Sequence, residues 1–265
     1  EERKAIAFKD ALLLKGYNEI NKSESISYFD IAQKQINLIQ SFDMHITNIV
    51  GTKYINDLIV LKEDEHQTAN IYLYQLNNIQ QDPKAIAQLN IQQASYNWLN
   101  TELIKWKAYT GKTVEGILYK PEDFDPKKKY PMIVYFYERN NQTLHNYIPP
   151  TPTGSRLNIS FFVSRGYLVF VPDIWYKNGY PGQSAYDHIV SGTKALIQKG
   201  FVDSTKIGLQ GQSWGGYQIA YLITKTNMYA AAWAGAPVVN MTSAYGGIRW
   251  GTGMNRQFQY EKTQS

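Results

Sequence analysis

The chain contains no cysteine in 265 residues, which excludes a disulfide, a thiolate metal site and a cysteine nucleophile. No apolar stretch approaches the ~18 residues that a membrane-spanning helix requires. The opening Glu1-Glu2-Arg3-Lys4 has none of the apolar character of a signal peptide. It also lacks an initiator Met, so the expectation is a native chain that begins further upstream, and the compartment stays open. One more absence bears on chemistry: residues 214–265 contain neither Asp nor His.

What is present suits a globular protein. Apolar residues make up 43% of the chain, enough for a substantial core in one large α/β domain or two smaller ones. The net charge of +5 is spread among acids. The one compact basic run, Lys127-Lys128-Lys129, follows Asp125-Pro126 and reads as a solvated turn, so no nucleic-acid partner is expected.

Two regions differ in pattern. Up to about residue 98 there are short alternating runs of β type and no amphipathic helix. Residues 12–15 and 27–31 form one pair of runs, and residues 59–62 and 71–74 a second, at an offset of roughly 45 residues. That is the length of one four-stranded propeller blade. An ordinary β-meander fits the periodicity equally well. The expected division is residues 1–98 as the end of a propeller-like domain and residues 99–265 as the start of an α/β catalytic domain.

In the second region, residues 103–109 and 114–119 read as a hairpin around Gly111. Residues 130–137 and 167–171 are continuous apolar runs, as in strands buried on both faces. A helix is expected over 184–199 with Ser184 as its cap, a strand over 206–210, a helix over 216–226 and a strand over 230–235. Strands alternating with helices imply a mainly parallel sheet.

The segment Gly208-Leu-Gln-Gly-Gln-Ser-Trp-Gly-Gly-Tyr217 sits between the last predicted strand pair. A bare G-x-S-x-G carries little information, but here Ser213 ends a strand and opens a helix, the setting of a nucleophile elbow. Such a turn forces φ > 0 at the serine and presses the positions two before and two after it together, so Gly211 and Gly215 supply room. The amide of Trp214 would then face a developing oxyanion. The competing reading is a glycine-rich turn with an incidental serine. A second oxyanion donor would come from the loop after an earlier strand, where Tyr137 precedes Glu138-Arg139-Asn140-Asn141. A strand-end tyrosine with a wet tip and only a packing role is the alternative.

These residues resemble the prolyl oligopeptidase family of serine peptidases, which includes dipeptidyl peptidase IV and the acylaminoacyl peptidases. The resemblance runs through residues 106–121, 129–137, 164–173, 211–217 and 234–238, and Gly216 with Tyr217 narrows it beyond α/β-hydrolases in general. It implies an α/β-hydrolase domain gated by a propeller, with short peptides as substrates and no cofactor or metal. Ser213 would be the nucleophile, with Tyr137 and the Trp214 amide as the oxyanion hole. Trp214, Val238 and Tyr245 would line an apolar substrate pocket. One departure stands out: family members often carry Gly-Gly-Pro or a similar turn after the oxyanion tyrosine, and this chain has Glu138-Arg139-Asn140.

In that fold the chain order is Ser, then Asp or Glu, then His. Here the four histidines, His45, His66, His145 and His188, all precede Ser213. His45 and His66 read as surface residues and His188 as a core-edge histidine. His145 follows the oxyanion strand, and the fold order argues against it as the base. Asp173, at a strand's carboxyl end, is expected to shape residues 174–182. Glu261, the one acid after Ser213, reads as solvated. The expectation is an incomplete α/β-hydrolase fold, truncated after the nucleophile and inactive alone. Two other readings stand beside the peptidase. One is a carboxylesterase of the same fold. The other is a binding or assembly module whose open sheet edge pairs with itself or with the missing segment.

Overall fold

The computed structural model describes residues 11–51, 57–75 and 83–263. The opening Glu1-Glu2-Arg3-Lys4 lies outside them. The chain divides into two compact units, residues 1–96 with 142–147, and residues 97–141 with 148–265.

The first unit is built from antiparallel sheets. Strands β1 (Ala11–Tyr17), β2 (Glu24–Asp30) and β3 (Gln35–Phe42) form one sheet in that order. Strands β4 (His45–Gly51), β5 (Asp57–Asp64), β6 (Gln67–Gln75) and β7 (Lys84–Ala87) form a four-stranded sheet, also in chain order. The offset noted in the sequence superposes β1 on β5 and β2 on β6, each pair antiparallel neighbours. The same offset relates β3 to β7, so the three strands of the first sheet correspond in order to β5, β6 and β7 of the second. Their inward residues Ile26, Phe42, Ile46, Leu58, Val60 and Tyr74 form one apolar cluster. Lys62 is 7% exposed within this unit. Its ammonium lies 4.2 Å from the Phe42 ring centroid and 4.4 Å from that of Tyr72, so aromatic faces offset its desolvation.

The second unit is a six-stranded sheet in the order β13-β12-β10-β11-β9-β8. Its strands are β8 (Leu99–Lys107), β9 (Thr113–Pro121), β10 (Tyr130–Tyr135), β11 (Leu168–Pro172), β12 (Val202–Gln212) and β13 (Ala231–Gly235). The β8–β9 hairpin pairs antiparallel and β9 meets β11 antiparallel, while β11, β10, β12 and β13 run parallel. Gly111 in the hairpin turn has φ 82°, the left-handed region that favours glycine. All five residues of β11 are buried, as a strand covered on both faces requires, whereas β10 alternates buried and half-buried positions. Lys127, Lys128 and Lys129 occupy an exposed turn.

Three helices pack on the sheet: α1 (Ile159–Val163), α2 (Pro181–Gln198) and α3 (Trp214–Ile223). Helix α2 begins three residues before the sequence suggests. Tyr180 is its N-cap and Pro181 occupies the first turn, where a missing N–H costs nothing. Ser184 therefore sits inside that turn rather than capping it; its hydroxyl donates to Tyr180 O at 2.8 Å and accepts from Lys177 N at 3.0 Å. Ile189 and Leu196 on its inner face are fully buried, each contributing roughly 1.5–3 kcal/mol.

The fold class thus reads as expected, an α/β-hydrolase-type sheet preceded by propeller-like strands. Nothing in the local pattern signals that residues 142–147, which follow β10 of the second unit, belong with the first. They contain His145, whose Nδ1 lies 3.8 Å from Glu65 Oε2, and Tyr147, whose amide donates to Glu63 at 3.2 Å.

Candidate active site

Ser213 joins β12 to α3 and has φ 58° and ψ −108°. A non-glycine residue held there is strained by about 1–3 kcal/mol and persists only where its surroundings fix it. They do so through its own peptide groups: Ser213 N–H donates to Gly235 O at 2.8 Å, and Ser213 O accepts from Tyr217 N at 3.0 Å. The serine is half-buried and stands at the N-cap of α3 without bonding a helix amide. It thus sits beside the helix-start amides, which have no intrahelical acceptor.

The glycines make this turn possible by close approach. A Cβ on Gly211 would lie 2.8 Å from Gly215 C and 3.0 Å from its Cα. A Cβ on Gly215 would lie 2.6 Å from Phe136 O and 3.9 Å from Tyr137 Cα. A Cβ on Gly216 would meet Gly235 O at 2.7 Å. The backbone just beyond β10 is therefore pressed against the first turn of α3, which brings Tyr137 to the elbow. Its ring is 39% exposed.

The segment after Tyr137 is pinned from two directions. The Tyr137 carbonyl accepts from Tyr176 Oη at 3.0 Å and from Gln218 Nε2 at 3.0 Å, and Gln218 Nε2 also donates to Tyr176 Oη. Burial pushes the Tyr176 phenol well above its ordinary pKa, so it keeps the proton it donates. Glu138 O accepts from Ile174 N at 2.9 Å. Asp173, 0% exposed, accepts from Asn140 N at 2.6 Å and Asn141 N at 3.1 Å through Oδ1. Asp173 thus organises the loop after Tyr137, a role beyond the shaping of residues 174–182 expected from the sequence. Its buried carboxylate meets amides already close to it in space. Arg139 lies over the Trp175 ring at 4.5 Å.

The expected pocket residues separate. The Trp214 side chain is 1% exposed, stacked on Tyr217 at 4.8 Å and flanked by Tyr260 at 6.0 Å and Tyr176 at 6.4 Å. These three rings cover the indole, so it presents little surface to a pocket. Val238 is half-buried against the same cluster. Tyr245 is 40% exposed, and its hydroxyl donates to Glu261, which raises the phenol pKa. Glu261 is accordingly a partner of Tyr245 as well as a solvated acid.

Among the described residues no histidine hydrogen-bonds to Ser213. His188 is 2% exposed with Nδ1 on Ser184 O at 2.7 Å, and burial lowers its pKa. His45 is not free on the surface: Nδ1 lies 3.0 Å from the Glu24 carboxylate, itself bound by Lys15 at 2.8 Å. His66 is exposed beside Glu65. Among the described residues no cluster of His, Asp and Glu is arranged to hold a metal.

Tyr176 and Gln218 escaped the sequence reading. The available signal was an amide within the apolar helix five positions after the serine; its partner, Tyr137, is 81 residues away.

Comparison with known proteins shows what this chain is similar to. Residues 153–264 match the prolyl oligopeptidase family. Mouse dipeptidyl peptidase 8 is 33% identical over 150 residues, covering 52% of this chain and 17% of that protein. Dipeptidyl-peptidase 5 of Porphyromonas gingivalis is 27% identical over 47% of this chain and 19% of its own length. Among solved structures, the Pyrococcus horikoshii acylaminoacyl peptidase superposes with TM-score 0.68 at 16% identity, over 96% of this chain and 40% of that one. The chain therefore spans well under half the length of these relatives.

Proposed function

Because residues 153–264 match the prolyl oligopeptidase family, we propose that this chain carries the nucleophile and oxyanion hole of a serine peptidase acting on short peptides. Relatives in the family are dipeptidyl peptidases. The observation that carries the reading is Ser213 at φ 58° on the N-cap of α3, with the Phe136–Tyr137 backbone seated against Gly215.

In the proposed reaction Ser213 Oγ adds to the substrate carbonyl. The tetrahedral oxyanion is met by the Trp214 amide and the Tyr137 hydroxyl, and collapse expels the amine to leave an acyl-enzyme that water hydrolyses. Val238 and Tyr245 are the candidate pocket residues. On this reading residues 1–98 are propeller-like and residues 99–265 belong to the hydrolase region, apart from residues 142–147, which group with the first unit. The proton on Oγ needs a base, and among the described residues no histidine bonds to that oxygen. We therefore assign to these 265 residues alone little peptidase activity, since a serine hydroxyl without a base is a weak nucleophile.

Titration with a fluorophosphonate probe tests both parts. The expected result is slow, substoichiometric labelling of the 265-residue chain, and fast labelling confined to Ser213 in a protein that also supplies a base and its orienting acid. Stoichiometric labelling of the chain alone at an ordinary serine-hydrolase rate overturns the assignment of incompleteness. Fast labelling of the base-containing protein that survives Ser213→Ala overturns the nucleophile.

A further inference from the structure

Gln218 is a fully buried amide in an apolar helix, and its Oε1 has no hydrogen-bond partner. An unmet buried acceptor is destabilising, because the desolvation of that oxygen goes uncompensated. Leucine would fill this position without that cost, so folding stability does not explain the residue. What Gln218 does make is a pair of donations from Nε2, one to the Tyr137 carbonyl at 3.0 Å and one to the Tyr176 hydroxyl. Tyr176 Oη–H donates to the same carbonyl at 3.0 Å. Two donors, one from the helix that Ser213 opens and one from the loop after β11, therefore converge on one acceptor.

That acceptor belongs to the residue whose placement matters most. The Tyr137 ring is 39% exposed, so its backbone sets where the phenol begins. On the other side the chain has no slack, since Phe136 O already lies 2.6 Å from the Cβ position of Gly215. We propose that Gln218 and Tyr176 are positioning residues that lock the Tyr137 peptide to the nucleophile helix, fixing the Tyr137 hydroxyl relative to Ser213. This rests on the reading of Tyr137 as an oxyanion donor. Gln218 lies on the helix that begins at Ser213, so the tie links donor and nucleophile through one rigid element.

The test uses the 265-residue chain with Ser213→Cys, because a thiolate at alkaline pH attacks without a general base. Acetylation by p-nitrophenyl acetate passes through a tetrahedral oxyanion and releases p-nitrophenolate. Alkylation by iodoacetamide displaces iodide with no oxyanion. The ratio of the two rates therefore isolates the oxyanion hole from thiol exposure and pKa. Tyr137→Phe is expected to lower the ratio roughly a hundredfold, the usual loss of one donor. Tyr176→Phe and Gln218→Leu are each expected to lower it roughly tenfold, as a displacement well under 1 Å would.

A second readout follows the bond itself. With Tyr carbonyls labelled by 13C and Glu amides by 15N, two sequence pairs give signals, Tyr137-Glu138 and Tyr260-Glu261. Loss of either donor is expected to shift the Tyr137 carbonyl upfield, while the Tyr260 signal reports an intact fold. Tyr176→Phe removes a single oxygen, so it keeps the test alive if Gln218→Leu does not fold. An unshifted carbonyl, or a ratio that falls in Tyr137→Phe and not in the other two, overturns the positioning role alone. A ratio unchanged in Tyr137→Phe overturns the oxyanion assignment and the proposal with it.

Discussion

Gly215→Ala is the sharpest probe of the elbow. The added carbon would stand 2.6 Å from Phe136 O, where ordinary contact begins at 3.4 Å, so about 0.8 Å of separation must be found. The obstacle is backbone on both sides and cannot rotate away. Overpacking of this kind costs about 1–3 kcal/mol, while alanine in a helix recovers up to about 1 kcal/mol relative to glycine. The net expectation is a loss of up to about 2 kcal/mol, read as a lower urea midpoint with an unchanged slope. The functional loss should be larger. The carbonyl that must move is the one preceding Tyr137, and a 1 Å misplacement is worth about 10²-fold in rate. In the Ser213→Cys background the acetylation-to-alkylation ratio should therefore fall far more than stability alone accounts for. Gly208→Ala, on β12, the strand that leads into Ser213, supplies the control: its Cβ would meet nothing nearer than 3.8 Å. Equal midpoints and equal ratios for Gly215→Ala and Gly208→Ala would refute the crowding argument.

Two further perturbations address the two units separately. Ser191→Ala removes the acceptor, 3.0 Å away, of the buried Trp106 Nε1–H, and should lower unfolding free energy by about 1–3 kcal/mol; a loss below about 0.5 kcal/mol would show that the indole finds another partner. Burial alone would raise the Glu65 carboxyl and lower His145, but the facing partner outweighs it, leaving Glu65 below 4.5 and His145, with Asp43 also acting on it, above 6.5. The His145 contribution is complete below pH 6.5 and fades as pH rises through its elevated pKa, whereas that of Glu65 is complete above pH 4.5 and fades as pH falls through its depressed one. The stability difference between wild type and His145→Gln, followed by urea unfolding across pH, should therefore peak between these limits; a difference that grows above pH 8 would contradict the pairing.

Much of the sheet was legible because its information is local. The apolar runs at β10, β11 and β12 and the glycine at the β8–β9 turn each declare themselves within a few residues. The elbow was legible for the same reason: Gly211, Ser213 and Gly215 are two apart, and their contact is forced by the turn between them. What was illegible is what proximity in space decides. Residues 142–147 join the first unit through partners such as Glu65, about eighty positions away. The Trp214 indole, adjacent to the nucleophile in sequence, is covered by Tyr260, 46 positions later. Ser184 has the composition of a cap, but Pro181 lets the helix start earlier.

The same distinction explains the departure at Glu138-Arg139-Asn140, where a glycine-rich turn was the familiar alternative. A turn built on glycine shapes itself from within. This loop is shaped from outside instead: Asp173 holds the Asn140 and Asn141 amides, Ile174 holds the Glu138 carbonyl, and Tyr176 holds that of Tyr137. All three anchors come from residues 173–176 following β11, the strand paired with β10. Gln218 adds an anchor from the helix that Ser213 opens. Neither a proline nor a glycine is then needed after Tyr137, because neighbouring elements already fix the backbone on both sides. The two oxyanion donors proposed for this site thus rest on different physics. The Trp214 amide is set by a strained turn that the sequence spells out, and the Tyr137 backbone by a tertiary clamp that becomes visible once strand order brings β10, β11 and α3 together.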